Sequence, residues 1–359
     1  MAIVFKWPWL GIVIPSLLIA SIQLCAHYLL YKDRVDQTKL VILAALVWYS
    51  YYLAIYTSPG HPPNSYTVDK SQKPQKQWYK YCSKCKRYKP ERTHHCKTCR
   101  RCILKMDHHC PWTMNCIGHE NMPHFMRFLT WVLVAVSYTF SFLVRKLSSY
   151  YRNRNLPAYL VGKKELALVI VCTLLCAFIL FTIGILFLRT LFNLISNETT
   201  IESWERERIH SQFYTEKFWA KVRANYHRVH GKPLPELTSW KTNYRELRRD
   251  SQIPPNFSYD DLVFPYDSGS TFRNLCMALG PVHLWLWPWG KPRENGIDFE
   301  KVSEDEDQLN LPWPPDGSNY DNDPLDETTV SSWINDFGET LDDFGVDLAT
   351  EPYEAPKDI

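Results

Sequence analysis

Residues 82–116 read Cys82-Ser-Lys-Cys85-Lys-Arg-Tyr-Lys-Pro-Glu-Arg-Thr-His94-His95-Cys96-Lys-Thr-Cys99-Arg-Arg-Cys102-Ile-Leu-Lys-Met-Asp107-His108-His109-Cys110-Pro-Trp-Thr-Met-Asn-Cys116. Seven of the 11 cysteines of this 359-residue chain fall here, interleaved with four of its 12 histidines. That mixture points to a metal rather than a disulfide framework, and to a reducing compartment. Zinc takes four Cys or His ligands in a tetrahedron, and a Cys-x2-Cys turn aims two sulfurs at one ion. Two closed sites consume eight of these eleven groups and leave three over. Spacing alone does not name the three. Within Asp107-His108-His109-Cys110 the residue types match a thiol nucleophile, an imidazole that takes its proton and a carboxylate that orients the imidazole.

Outward from this stretch the chain is apolar in blocks, which its mean hydropathy of −0.30 conceals. Residues 7–31, 40–57, 125–144 and 166–188 are each apolar over nearly the length of ~20 residues that a bilayer-crossing helix needs. The first of them is too long for the core of a cleavable signal peptide and lacks a small-residue cleavage site. Four spans put both ends of the chain and the 59–124 loop on one side. That loop carries about a dozen Lys and Arg, which assigns it to the cytosol. The opposite loop is also basic (Arg145, Lys146, Arg152, Arg154, Lys163, Lys164), so the thiol chemistry decides the orientation. Lys+Arg 41 against Asp+Glu 38 leaves +3, which gives no reason to expect a nucleic-acid partner.

The fold class expected is an α-helical polytopic membrane protein: four transmembrane helices, a cytosolic zinc-binding cysteine-rich domain and a largely irregular C-terminal tail. Its divisions are 1–58 with two spans, 59–124 as the zinc domain, 125–196 with two spans, 197–290 as a cytosolic region, and 291–359 as an acidic, Pro-rich tail. Residues Trp204 to His230 have the pattern of an amphipathic helix, lying on the membrane or packed. The tail reads as a linker without a core of its own, although Trp333, Ile334, Phe337 and Phe344 form a candidate docking segment. No internal repeat of useful length is found. Arg127, near a helix end, is expected to snorkel to the interface. Cys25, Cys172, Cys176 and Cys276 read as helix-packing residues, and Gln23 and His27 as polar groups turned into the bundle or towards headgroups.

The run from Cys82 to Cys116, with Lys89-Pro-Glu-Arg92 and Pro111-Trp112 inside it, resembles the cysteine-rich domain of the DHHC protein acyltransferases over its full length. Thr199-Thr-Ile-Glu202 is similar to the family's T-T-x-E motif, and Tyr266-Asp-Ser-Gly269 with Asn274 and Gly280 to its C-terminal motif. Ser58-Pro-Gly60 stands where D-P-G is usual, which leaves any role of that acidic residue without a carrier here. Trp7-Pro-Trp-Leu-Gly11, Gly280-Pro-Val-His-Leu-Trp-Leu-Trp-Pro288, Leu311-Pro-Trp-Pro-Pro-Asp-Gly317 and Asp342-Asp-Phe-Gly-Val-Asp347 resemble the fungal endoplasmic-reticulum branch of the family.

The resemblance implies one zinc on Cys82, Cys85, His95 and Cys102 and a second on Cys96, Cys99, His109 and Cys116. It makes Cys110 the acylated nucleophile, His108 its base and Asp107 the orienting carboxylate. Lys89, Arg92 and His94 are implied to meet the phosphates of coenzyme A, and Trp112, Phe125 and Phe128 to line an acyl cavity. Ala135, two helical turns beyond Phe128, would leave the far end of that cavity open. The cofactors implied are two structural zinc ions, with palmitoyl-CoA as acyl donor. The partners implied are integral-membrane protein substrates and the lipid bilayer, at the endoplasmic reticulum with both termini and the zinc domain cytosolic. A membrane-anchored RING-like adaptor is the rival from another class. It lacks here the terminal Cys-x2-Cys pair and leaves Cys110 without a purpose. A transporter is disfavoured by the scarcity of ionisable groups within the spans.

Overall fold

Apolar segments withdrawn from water must close their backbone hydrogen bonds within themselves, and helices are the outcome. In the computed structural model, which describes residues 7, 9–31, 37–68, 78, 80–155, 157, 162–237, 257–302, 309–317 and 333–350, four helices are long and apolar enough to cross a membrane. They are α1 (Leu10–Tyr31), α2 (Gln37–Tyr56), α3 (Met122–Arg152) and α4 (Lys163–Ile195). Leu24, Leu174 and Phe181 are 70, 66 and 68% exposed on the outside of the bundle, an exposure that only lipid makes inexpensive. Inside, Leu29, Val47, Val132, Val136, Leu143, Val169 and Ile179 interlock, with Cys172 and Cys176 buried among them. Gln23 accepts a hydrogen bond from Trp48 Nε1 at 2.8 Å, and His27 Nδ1 meets Gln37 Oε1 at 2.8 Å, so both polar side chains are satisfied between α1 and α2.

The helices overrun the apolar stretches. The 31 residues of α3 and 33 of α4 extend beyond 125–144 and 166–188 because a charge ends a hydropathy window without breaking an i→i−4 hydrogen bond. At ~1.5 Å per residue both exceed a ~30 Å hydrocarbon core. Lys146, in the added part of α3, is held by Glu165 at 2.8 Å and the Leu29 carbonyl at 2.9 Å. Arg127 does not snorkel. It is buried and donates to the carbonyls of Leu284, Trp285 and Gly290, tying the loop after residue 280 to the first turns of α3.

Between α2 and α3 lie three hairpins of three-residue strands: β1 (Lys80–Cys82) with β2 (Arg87–Lys89), β3 (His94–Cys96) with β4 (Arg101–Ile103), and β5 (His108–Cys110) with β6 (Asn115–Ile117). The third hairpin is seated on the end of α2, where Asn115 Nδ2 donates to the carbonyls of Ala54, Ile55 and Thr57. Gly60, at φ +91°, lets the chain turn back so that its carbonyl accepts from Leu104 N.

After α4 the chain forms α5 (Thr200–Gln212), α6 (Glu216–His230) and α7 (Thr271–Leu279). Thr199 and Glu202 make a capping box that starts α5. The stretch from Trp204 to His230 is therefore two helices, because Thr215 caps a new one. The apolar face of α6 is buried against protein: Phe218, Trp219, Val222 and Tyr226 pack with Trp78, Phe257, Leu309 and Leu311. The tail from Glu300 onward, read as a linker without a core of its own, contributes to this core instead. The tail has too few apolar residues for a core of its own, but Leu309 and Leu311 complete this one. Leu341, Phe344 and Val346 are buried against the second and third hairpins and Trp204. Of the docking residues named above, Trp333 and Phe344 pack there, while Ile334 and Phe337 face outward. The acidic residues Glu304 to Asp307, 318–332 and 351–359 lie outside the described residues.

Candidate active site

The three hairpins are one design repeated every 14 residues, which corrects the reading that no repeat exists. Cys82, Cys96 and Cys110 end their first strands, and β3–β4 and β5–β6 share one register: His95 opposite Cys102 and His109 opposite Cys116. The turns match too, with Lys86, Arg100 and Met114 all at positive φ. In the first two, a backbone N–H reaches back to the leading sulfur, Cys85 to Cys82 and Cys99 to Cys96, at 3.3 Å each. Each of these two hairpins offers its turn cysteines to one site, which the His and Cys of the next hairpin close.

Cys82, Cys85, His95 and Cys102 form one cluster and Cys96, Cys99, His109 and Cys116 the other, with all ligand atoms of each within 4.8 Å of one another. His95 Nδ1 is 3.4, 3.3 and 3.8 Å from the three sulfurs of its set, and His109 Nδ1 is 3.7, 3.4 and 3.6 Å from those of its own. A tetrahedron with Zn–S ~2.3 Å and Zn–N ~2.0 Å has S···N edges of about 3.5 Å. Both clusters fit zinc. The repeat also explains the surplus thiol. Thr113 stands in the third hairpin where Cys85 and Cys99 stand in the others, and α3 follows instead of a fourth hairpin. Cys110 thus occupies a ligand position to which no further ligands come.

Cys110 is buried, in a cluster with Ile117, Phe125, Met126 and Leu129. Its thiol stands two residues from His108 on the same face of β5, and the His108 Nδ1 lies 2.7 Å from Asp107 Oδ2. Asp107 is in turn held by α5: Thr200 N donates to Oδ1 at 2.7 Å and Thr200 Oγ1 to Oδ2 at 2.9 Å. A carboxylate at a helix N-terminus is stabilised by the free N–H groups there. Burial opposes every charge in this chain of contacts. Burial would lower His108, but the neighbouring Asp107 and Cys110 outweigh it and the imidazole is pushed up to about 10. Burial would raise Cys110 and Asp107, yet His108 draws the thiol down, and His108 with Thr200 draws the carboxyl down. The arrangement favours a thiolate–imidazolium pair. Phe125 packs edge-on against His108 with ring centroids 5.7 Å apart.

An apolar cavity of about 190 Å³ runs among the spans, walled by Phe128, Val132, Ala135 and Val136 of α3 with Leu18, Ile22 and Ala26 of α1 and Val47 of α2. Phe128 belongs both to this wall and to the packing around Cys110. Trp112 and Phe125 are not in the wall. Phe125 backs His108, and Trp112, 38% exposed, is held through its carbonyl by Tyr51 Oη at 2.8 Å.

Of the three residues named for coenzyme A, Arg92 and His94 border one small cavity and Lys89 is not among its walls. Lys89 is buried and donates to the Thr350 carbonyl at 2.6 Å. Arg92 is buried too, donating through Nε and Nη2 to Glu202 at 2.6 and 2.5 Å and to the Asn197 carbonyl at 2.6 Å, under the ring of Tyr266. Its remaining nitrogen, Nη1, has no hydrogen-bond partner among the described residues, and the side chain borders a small cavity shared with Lys80 and His94. Sequence reasoning passed over Thr200 as a single residue, although the T-T-x-E pattern contains it. Of the tail contacts it found the side chains of Trp333 and Phe344 but not the backbone bonds to the hairpins.

The family profile described as DHHC palmitoyltransferase matches residues 75–207. The chain is 43% identical to the palmitoyltransferase PFA4 of Debaryomyces hansenii over 99% of this chain and 97% of that protein. It is 42% identical to the one of Candida glabrata over 98% of this chain and 100% of that protein. With the one of Saccharomyces cerevisiae it shares 40% identity over the same proportions, 98% and 100%. End-to-end similarity of this degree, in a chain with two zinc-fitting clusters and four helices fit to cross a membrane, places it in the DHHC palmitoyltransferase family.

Proposed function

We propose that this chain transfers a palmitoyl group from palmitoyl-CoA to cysteine thiols of membrane proteins through a thioester on Cys110. The observation that carries the reading is a buried thiol outside both metal clusters, on the same strand face as His108, which Asp107 holds. In the first step the Cys110 thiolate attacks the thioester carbonyl of palmitoyl-CoA. The C–S bond to coenzyme A breaks, and the His108 imidazolium gives its proton to the departing sulfur. In the second step a substrate thiol gives its proton to His108 and attacks the acyl-Cys110 carbonyl, and Cys110 leaves as thiolate. Zinc, when bound, fixes the hairpins that carry these side chains and keeps a closed coordination sphere.

The fatty chain occupies the cavity among the spans, where each methylene kept from water is worth ~0.8 kcal/mol. Because the third hairpin is seated on the end of α2, the substrate cysteine must come to the membrane surface. For the coenzyme we propose the cavity bordered by Lys80, Arg92 and His94. Its phosphates would meet Arg92 Nη1, with Lys89 supporting from behind. The basic 59–124 loop and its thiols support a cytosolic site, and the resemblance to the fungal branch supports the endoplasmic reticulum as the membrane.

The test is transfer itself. Purified protein in vesicles, given radiolabelled palmitoyl-CoA and a membrane-anchored cysteine peptide, is expected to label the peptide in a hydroxylamine-sensitive bond. A Ser peptide should stay unlabelled. Binding of the peptide without label transfer would instead support the adaptor reading.

A further inference from the structure

The last described stretch, residues 333–350, contains one helical turn, and its backbone runs along the metal hairpins. Val346 pairs antiparallel with Cys96. Lys97 N donates to the Gly345 carbonyl at 3.0 Å, His109 N to the Phe344 carbonyl at 2.9 Å, and Asp347 N to the His95 carbonyl at 2.9 Å. Three of the residues so held, His95, Cys96 and His109, belong to the metal clusters. His109 also lies between His108 and Cys110. Strands of three residues pair too briefly to be rigid alone, and an added strand satisfies their outward backbone groups.

Side chains fix the same stretch from both flanks. Glu339 takes both terminal nitrogens of Arg189, at 2.8 and 2.6 Å, and its carbonyl accepts from Trp204 Nε1. Asp342 pairs with Lys97 at 2.5 Å. Phe344 and Val346 are buried with Cys96, Ile103 and Cys116. At Gly345 the contact is as close as a backbone permits. Its φ is +84°, and a Cβ there would stand 2.7 Å from His109 Cβ. Only glycine combines that conformation with that approach.

We propose that residues 333–350 are a backbone clasp that holds the second metal cluster and the His108–Cys110 hairpin in place, so that the tail positions the reactive thiol from outside the matched family region. This rests on the metal and nucleophile assignments above, and deepens them. The tail's acidic, irregular character suits a clasp, since Asp342 and Glu339 meet cations on the zinc domain and on α4 while the backbone makes the contacts that specify register.

The experiment uses the full chain, loaded with zinc, and follows zinc transfer to a chromogenic chelator in the absence of acyl-CoA. Gly345→Val is expected to release one of the two ions about tenfold faster or more, the scale on which loss of outer support weakens metal sites. Cys110 loading should slow while the palmitoyl-CoA concentration for half-maximal loading stays unchanged. Ile334→Ser, an exposed position in the same stretch, should keep wild-type release. A chain ending at residue 332 should show the same fast release, and a synthetic 333–350 peptide should restore slow release where its Gly345→Val version does not. Should neither variant accumulate, co-expressed 333–350 peptide is expected to rescue the truncated chain, and failure to rescue it overturns the proposal. Wild-type zinc release from both variants also overturns it. Because release is read without acyl-CoA, this outcome is separate from where the acyl group maps.

Discussion

A guanidinium that is 8% exposed and bonded through two nitrogens to one carboxylate has exchanged water for Glu202. Removing it strands a buried negative charge, which costs about 3–5 kcal/mol. Arg92→Ala should therefore lower the melting temperature and yield, beyond any rise in the palmitoyl-CoA requirement; a variant with unchanged melting would show that Glu202 is not buried with this partner. For His108 and Cys110 the pH dependence carries the information. His108 is raised to about 10 and Cys110 lowered, so the ion pair persists through neutral pH. The contribution of the raised His108 to stability is complete below the ordinary imidazole value and is lost as pH rises through about 10. Alkylation of Cys110 should accordingly gain its reactivity at lower pH than an ordinary thiol, which gains it at pH ~8.5. Asp107→Asn should restore the ordinary rise. A wild-type rise centred near the ordinary thiol value would contradict the pairing.

At the scale of elements, the metal hairpins were legible because ligand types and spacings are local, and the four spans because apolar length is local. The 14-residue recurrence was in the sequence as well, as Cys82, Cys96 and Cys110, but Thr113 in place of a cysteine hides its third copy. Helix ends were not legible from hydropathy: α3 starts at Met122, where Asn121 accepts from Gly118 N at 2.9 Å and donates to the Cys116 carbonyl at 2.8 Å. That the tail docks was legible in Trp333 and Phe344, but where it docks was not, because its contacts are with residues far off in the chain and use backbone groups. On α3, Ala135 does border the cavity, one turn beyond Trp131 and two beyond Phe128. Ala135→Phe should fill that depth and shift loading towards shorter acyl-CoAs in direct competition with palmitoyl-CoA. An identical length profile for a folded, active variant would place the chain's end elsewhere.

Across the whole molecule the parts are interdependent. The membrane bundle supplies the cavity and the end of α2 on which the third hairpin rests. The metal clusters make the hairpins stiff, α5 holds Asp107 through Thr200, and the tail covers the backbone of His95, Cys96 and His109. Cys110 is the point where these meet, and of the seven cysteines in the stretch it alone stands outside both clusters, which is why we propose it as the reactive thiol. That claim is tested most directly by native mass spectrometry of the detergent-solubilised chain after exposure to palmitoyl-CoA, for wild type and Cys110→Ser. The account predicts two zinc ions in both proteins, with one added palmitoyl group, mapped to Cys110, in the wild type alone. Loss of a zinc ion in Cys110→Ser, or a palmitoyl group retained by it, would contradict the account.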